Sequence, residues 1–296
     1  MKKIFFAFVL ILLPQWALAQ ATPFYMEDNI NNQIKVKIYV VGDASAKTQI
    51  QEALYASVDH AKAVAAKLNA NDPTSELGAI NQKKTKGEYM VSEELAKAVE
   101  IGLAVSNWTH GFFDITFDSI IPNHKKIGIN RKNNALKIKD YNMVIDLRYM
   151  LKGFLADQIA EDLNNAGWKN CFVKVGNEYV ARGNDVNEPW KIPVVTPNSK
   201  LAKRVLLYKA SDVGSGTSTY NDSIVDPKTK SAATSDLQSV TVFTQTAAKA
   251  EGLATAVYVM GSVEGKKFLE KNKNLRAVFA DSEGKFTPIP ETNPAP

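Results

Sequence analysis

Cysteine is nearly absent from this chain. Cys171 stands alone among 296 residues, so no intramolecular disulfide can form and the fold must be held by packing. Histidine is scarce too: His60, His110 and His124 are the three present. No two of them sit at ligand spacing, which leaves little material for a zinc site or a histidine-based triad. There is no G-x-S-x-G elbow, and Gly214-Ser215-Gly216 lacks both the third glycine of a dinucleotide loop and the lysine of a phosphate loop. Charge of one sign is not in large excess either. The 36 basic residues exceed the 31 acidic ones by five, and two of the positives, Lys2 and Lys3, lie in the leader described below. No dense basic stripe interleaved with aromatics occurs, so nucleic acid is a poor candidate partner.

What is present is an ordinary globular balance, 45% hydrophobic and 23% charged, which excludes fibrous and wholly disordered classes. The one long apolar run is N-terminal. Two lysines, an apolar stretch and Ala17-Leu18-Ala19 make a secretory leader over residues 1–19, with cleavage after Ala19 or, nearly as well, after Ala21. The run is too short to span a bilayer comfortably, and no cysteine sits near the cleavage point to carry a lipid. The expected mature protein is soluble, exported to a bacterial periplasm and without a transmembrane anchor. Residues 20–287 read as one domain and 288–296 as a Pro-rich flexible tail.

Within that domain, Ile34, Val36, Ile38 and Val40 alternate with polar neighbours and predict a half-buried strand. Ile50, Leu54, Val58, Ala61, Val64 and Leu68 recur at helical spacing. Ser75 and Ser92 are placed to start two further helices. A strand over 142–147 is expected to run into a helix bearing Leu151, Leu155, Ile159 and Leu163, ended by Gly167. Strands follow at 171–180, 190–195, 204–209, 239–244 and 275–280, with a helix over 247–260 closed by Gly261. Such irregular alternation predicts an α+β fold with mixed sheets and flanking helices. Cys171 falls in an apolar strand and reads as a core residue.

Four polar clusters stand out from this frame. Thr109-His110-Gly111-Phe112-Phe113-Asp114-Ile115-Thr116 offers a ring-stacking wall with polar anchors, or simply a core aromatic pair followed by a turn. Asp146, Arg148, Tyr149 and Lys152 lie where strand meets helix, either a corner suited to phosphate or a cap with a solvated lysine. Asp222 to Thr229 contains an Asp-Pro step suited to a tight bend. Glu251 and Thr255, four apart, project from one helix face. They are hard oxygen donors for Mg²⁺, or else a solvated glutamate beside a back-bonded threonine.

Taken in order, these segments resemble the ApbE family, the FAD:protein FMN transferases. Ser75-Glu76-Leu77 with Ile80-Asn81 is similar to the family's S-E-L…L-N, and Gly111 to Thr116 to its G-a-F-D-x-T. Asp146-Leu147 through Lys152-Gly153-Phe154 and Asp157 resembles D-L-G-G-I-A-K-G-Y-A-x-D. Val175 to Glu178 resembles V-G-G-D, Gly214-Ser215-Gly216 resembles T-S-G, and Asp226 to Thr229 resembles D-P-R-T-G. Ser239 to Val242 and Ala250 to Thr255 resemble S-V-T-V…A-D-A-L-A-T.

The resemblance implies an ApbE-like, T-fold-related architecture and Mg²⁺-dependent transfer of FMN from FAD to a Thr or Ser of an exported acceptor protein, with release of AMP. It places Phe112, Phe113, Asp114, Asp146, Lys152 and Val225 against FAD. It makes Glu251 and Thr255 the catalytic pair and metal ligands, joined by the backbone carbonyl of Tyr149. Departures gather at the site: Glu251 stands for Asp, Arg148-Tyr149 for two small residues, Asn177-Glu178 for Gly-Asp, Ser223 for His and Lys230 for Gly. A flavin-binding accessory protein, or an FAD pyrophosphatase without an acceptor, is the alternative they raise. Asp212 to Ser218 also faintly resembles the family's acceptor segment.

Overall fold

The computed structural model describes residues 21–31, 33–195, 205–220 and 223–290. The expected leader and residues 291–296 lie outside these. The frame is an eight-stranded sheet in the order β1 (Ala21–Ile30), β2 (Ile34–Asp43), β6 (Cys171–Val175), β7 (Glu178–Arg182), β11 (Val213–Thr219), β12 (Ser239–Thr244), β13 (Arg276–Ala280) and β14 (Phe286–Ile289). Three-stranded sheets are made by β3 (Gly87–Met90), β5 (Ala135–Ile138) and β4 (Ile127–Asn130), and by β10 (Val205–Ala210), β9 (Glu188–Val195) and β8 (Asn184–Asp185). The fold is α+β as expected, and its strand pairings are antiparallel.

Alternation along β2 explains the layering. Val36, Ile38 and Val40 enter the main core under the helices, while Tyr39 and Val41 join a second cluster on the opposite face. There Phe172 stacks on Trp190 with centroids 5.4 Å apart, and the Trp190 indole N–H donates to the Arg182 carbonyl at 2.8 Å. On the helical face lie α1 (Lys47–Lys67), α4 (Leu151–Asn165) and α5 (Ala247–Lys271), with α3 (Glu93–Trp108) against α5. The α1 residues picked out by periodicity are all buried. Ser75 caps α2 (Glu76–Lys83) through Gly78 N–H at 2.9 Å, and Ser92 caps α3. Among the described residues no helix is long and apolar enough to cross a membrane.

Some expectations need correction. Residues 142–147 form no strand. Met143, Ile145 and Leu147 are buried, but the amides of the segment bond to side chains and to an isolated carbonyl rather than to a neighbouring strand: Val144 to Ser119 Oγ, Ile145 to Asn81 Oδ1 and Asp146 to Ile115 O. Pro288 and Ile289 belong to β14, paired with Val278 and Ala277, rather than to a tail. Gly261 does interrupt α5, with φ 74°, but helix resumes as far as Lys271. The Asp212–Ser218 segment is not an exposed acceptor. From Val213 onward it lies in β11, inside the large sheet, with Ser215 and Ser218 buried. Cys171 is fully buried, and burial pushes its thiol up to about 12.

The helices sit directly on backbone. A Cβ built on Gly216 would lie 2.1 Å from Glu251 N, one on Gly214 2.2 Å from Ala247 N, and one on Gly153 2.3 Å from Ala247 O. These glycines let α5 rest on β11 and α4 cross the start of α5. The Asp157 carboxylate then accepts the Ala247 and Ala248 N–H groups at 2.9 Å each and caps α5. Because the obstruction at Gly216 is main chain, Gly216→Ala should cost about 2 kcal/mol or more of folding stability. A denaturant midpoint equal to that of the parent would contradict this.

Candidate active site

The close seating of α5 turns Glu251 and Thr255 inward. Each is only 3% exposed, so the glutamate is not a solvated one. Thr255 Oγ1 lies 3.0 Å from Ser218 Oγ on β11. Glu251 Oε2 accepts the Gly153 N–H at 2.7 Å, which caps the otherwise uncapped first turn of α4. Its Oε1 lies 3.3 Å from Lys152 Nζ. That ammonium also reaches Glu178 Oε1 at 2.9 Å, and Glu178 Oε2 accepts the Thr217 N–H at 2.7 Å. Glu178 is completely buried. Two carboxylates thus share one ammonium beneath the start of α4.

This charge arrangement has an electrostatic signature. Burial, with Glu251 as a lesser contributor, pushes the Glu178 carboxyl up to about 8, and Lys152 only partly offsets it. Glu178 therefore keeps its proton into the neutral range, and the charge of Glu251 is set against that of Lys152. A carboxylate and a hydroxyl are both hard oxygen donors, so Glu251 and Thr255 fit a divalent cation in their chemistry. Among the described residues no group of three or more His, Cys, Asp or Glu side chains forms a metal cluster, so further ligands would come from backbone, water or substrate.

The other expected ligand contacts lie on three loops that touch one another. Asp146, 4% exposed, is held by its neighbour Arg148. The guanidinium donates through Nε at 2.8 Å and through Nη2 to Oδ2, and the Arg148 N–H bonds to Oδ1 at 2.9 Å. The guanidinium also lies over the Phe117 ring. Tyr149 packs its ring beside Phe117, donates its hydroxyl to Ser223 O at 3.0 Å and accepts Val225 N–H at 3.1 Å. Lys230 holds a left-handed φ of 61° and ties its ammonium to the carbonyls of Phe117 and Ser119. The substituted residues Arg148, Tyr149, Ser223 and Lys230 therefore form one connected set around Phe117.

The aromatic pair divides. Phe113 is buried in the main core against Gly252, so its ring is spent on packing. Phe112 is half-buried, and Lys228 Nζ stands 3.2 Å from its ring centroid. Asp114 Oδ1 accepts the Thr116 N–H and hydroxyl at 2.7 and 2.6 Å, while Oδ2 lies 2.8 Å from His124 Nδ1. Burial alone would raise Asp114; the bonds from His124 and Thr116 outweigh it and hold the carboxyl below its ordinary value. His124 Nε2 lies 3.2 Å from Asn107 Oδ1, and the three residues line a cleft of about 500 Å³ with His110 and Lys228. The sequence gives no role to His124, Ser218 or Asn107, because no spacing rule links side chains that meet from separate elements.

Since Glu178 binds its proton more tightly when folded than when unfolded, its contribution to stability is complete below the ordinary glutamate range and fades as pH rises toward 8. Glu178→Gln should therefore flatten the fall in stability between about pH 5 and 8. Parallel melting profiles of parent and variant across that range would refute the assignment.

Comparison with other proteins places this geometry. The ApbE family model matches residues 30–279. The FAD:protein FMN transferase of Haemophilus influenzae is 26% identical over 253 residues, covering 71% of this chain and 73% of that protein. The protein of the same name from Klebsiella pneumoniae is 25% identical, with 84% and 82% covered. The solved flavin transferase ApbE from Vibrio cholerae superposes with a TM-score of 0.77 at 21% identity, covering 90% of this chain and 96% of its own. The apo flavinyl transferase ApbE of Pseudomonas stutzeri gives 0.78 at 19%, with 92% and 95% covered. With the family model spanning nearly all of the described fold, the chain belongs to the ApbE family.

Proposed function

We propose that the protein is an enzyme that transfers FMN from FAD to a Thr or Ser hydroxyl of an exported acceptor protein and releases AMP. The observation that carries the reading is the pairing of the partly exposed Lys152 with the buried Glu251 under the first turn of α4, in a family whose sequence relatives compared above are named for this transfer. The acceptor oxygen attacks the FMN phosphorus and forms a phosphoester. The phosphoanhydride bond to AMP breaks, the bonding pair leaves with AMP, and the hydroxyl proton passes to solvent. Lys152 binds and orients phosphate oxygens, assisted by the N-terminal end of α4. Phe112 supplies an aromatic face and Val225 lines the site. Mg²⁺ held by Glu251, Thr255 and the Tyr149 carbonyl would neutralise diphosphate charge. The leader at residues 1–19 supports a periplasmic setting.

A second reading, an FAD-binding protein that does not transfer, is favoured by one feature. Asp146, placed against FAD by the resemblance, already has its carboxylate occupied by Arg148. The two readings separate in one assay of purified protein with FAD, Mg²⁺ and an acceptor domain, following AMP and flavin fluorescence on the acceptor band. Transfer is expected, and Glu251→Ala should lower its rate about a hundredfold or more. Flavin bound without AMP release would establish the second reading, and AMP without a labelled acceptor would make the protein a pyrophosphatase.

A further inference from the structure

Two isoleucines stand nearly bare at the tip of a loop. Ile120 is 76% exposed and Ile121 77%, followed by Pro122. The loop that presents them is firmly closed. Asn123 N–H bonds to Thr116 Oγ1 and Ser119 N–H to Thr116 O, each at 2.8 Å, and Lys230 grips the carbonyls of Phe117 and Ser119. The isoleucines are therefore held out into water, where their apolar surface carries a cost that a covering partner would relieve.

Lysines gather around this tip. Segments 82–90 and 117–144 carry nine Lys and Arg against Glu88, Asp118 and Asp140, an excess of six in a chain whose whole excess is five. Folding lays the two segments side by side. Lys137 of β5 is opposite Glu88 of β3 and Gly128 of β4. A Cβ on Gly128 would touch the stems of both Lys137 and Lys139, so these exposed lysines lie over that glycine, while Leu136 and Ile138 turn into the core. The Lys139 ammonium reaches the Lys125 carbonyl at 3.5 Å. Beyond the exposed Tyr141, which packs under the Lys86 ammonium, Asn142 N–H bonds to Lys84 O at 3.2 Å and Val144 N–H to Ser119 Oγ at 2.8 Å. The turn bearing Lys84 and the base of the isoleucine loop are thus tied to almost the same point. Arg131 is drawn to Glu93 and Glu100, and Lys126 to Asp140. Lys83, Lys84, Lys86, Lys125, Lys137 and Lys139 have no carboxylate partner among the described residues.

We infer that this face docks on an anionic lipid bilayer, with Ile120 and Ile121 entering the headgroup region and the lysines meeting lipid phosphates. Charge alone would suit any acidic partner. The neighbouring isoleucines and the exposed tyrosine among the lysines select a bilayer, whose surface offers negative charge and hydrocarbon together. Lysine stems lie along that boundary while their ammoniums stay among the phosphates. Ile121 and Pro122 also line the cleft of Asp114 and His124, so docking holds the rim of that cleft at the membrane. The inference concerns binding alone and stands apart from the proposed transfer.

Co-sedimentation of the mature chain with vesicles tests this. Vesicles of equal parts phosphatidylglycerol and phosphatidylethanolamine should bind the protein at low ionic strength and release it as salt is raised. Vesicles of phosphatidylcholine alone should bind it about tenfold or more weakly. Ile120→Ser with Ile121→Ser should weaken binding to the anionic vesicles about tenfold. Lys125→Gln, Lys137→Gln and Lys139→Gln together should do so about tenfold or more. All five side chains are exposed, so these variants should melt with the parent. Lys266→Gln, Lys267→Gln and Lys271→Gln, on α5, remove the same charge elsewhere and should leave binding near the parent's. A parent that ignores the anionic vesicles, an isoleucine variant that binds as the parent does, or a loss in the α5 variant equal to that in the patch variant would each overturn the inference. Binding to polyglutamate as tight as to the vesicles and indifferent to the isoleucines would make the partner an acidic protein and overturn it too. No FAD or acceptor enters the assay, so failure of the proposed transfer would leave this inference standing.

Discussion

The site depends on the closeness of α5 to β11. At Gly214 and Gly216 the strand presents bare backbone to the helix, and at Gly153 a second helix crosses in the same way. Side chains at these points would lift α5 outward. Thr255 would lose Ser218, and Glu251 would lose the Gly153 amide that it caps. The glycines of the G-S-G stretch therefore act through packing rather than by cradling a ligand. This seating is what places Glu251 within reach of Lys152 and, through that lysine, of Glu178.

Around this fixed centre the loops brace one another. Arg148, Tyr149, Ser223 and Lys230 are the positions that the sequence resemblance sets apart, and their contacts converge on Phe117 and the bend that starts at Ser223. A bulky tyrosine in place of a small residue acquires a function as a strut, its hydroxyl joining Ser223 and Val225. A lysine in place of glycine accepts an unfavourable φ and gains two carbonyl partners. Residues that support one another in this way make a braced wall.

Much of the frame was legible because periodicity records burial. The helical stripe of α1 and the alternation of β2 correspond to buried faces, and the serine caps of α2 and α3 occur where expected. β1 escaped because Pro23, Glu27, Asp28 and Asn29 blur the pattern of an edge strand with an exposed face. Residues 142–147 looked like a strand because their apolar run is buried, yet hydrophobicity does not say whether the backbone finds a ladder or a pair of side chains. In the site, the spacing of Glu251 and Thr255 put them on one helix face but could not show that face turned inward. The Asp114–His124 pair joins residues ten apart across a loop, and the Lys152–Glu178 pair joins a helix to a strand; neither leaves a periodic trace.

The solitary thiol of Cys171 has a practical corollary. Walled into β6 and displaced far toward its protonated form, it is silent toward maleimides and iodoacetamides while the protein is folded. A cysteine placed on an outer loop would then be the single reactive handle on an otherwise native molecule. Spin labels, fluorophores or crosslinkers attached there would report where an acceptor docks without any need to erase a background residue.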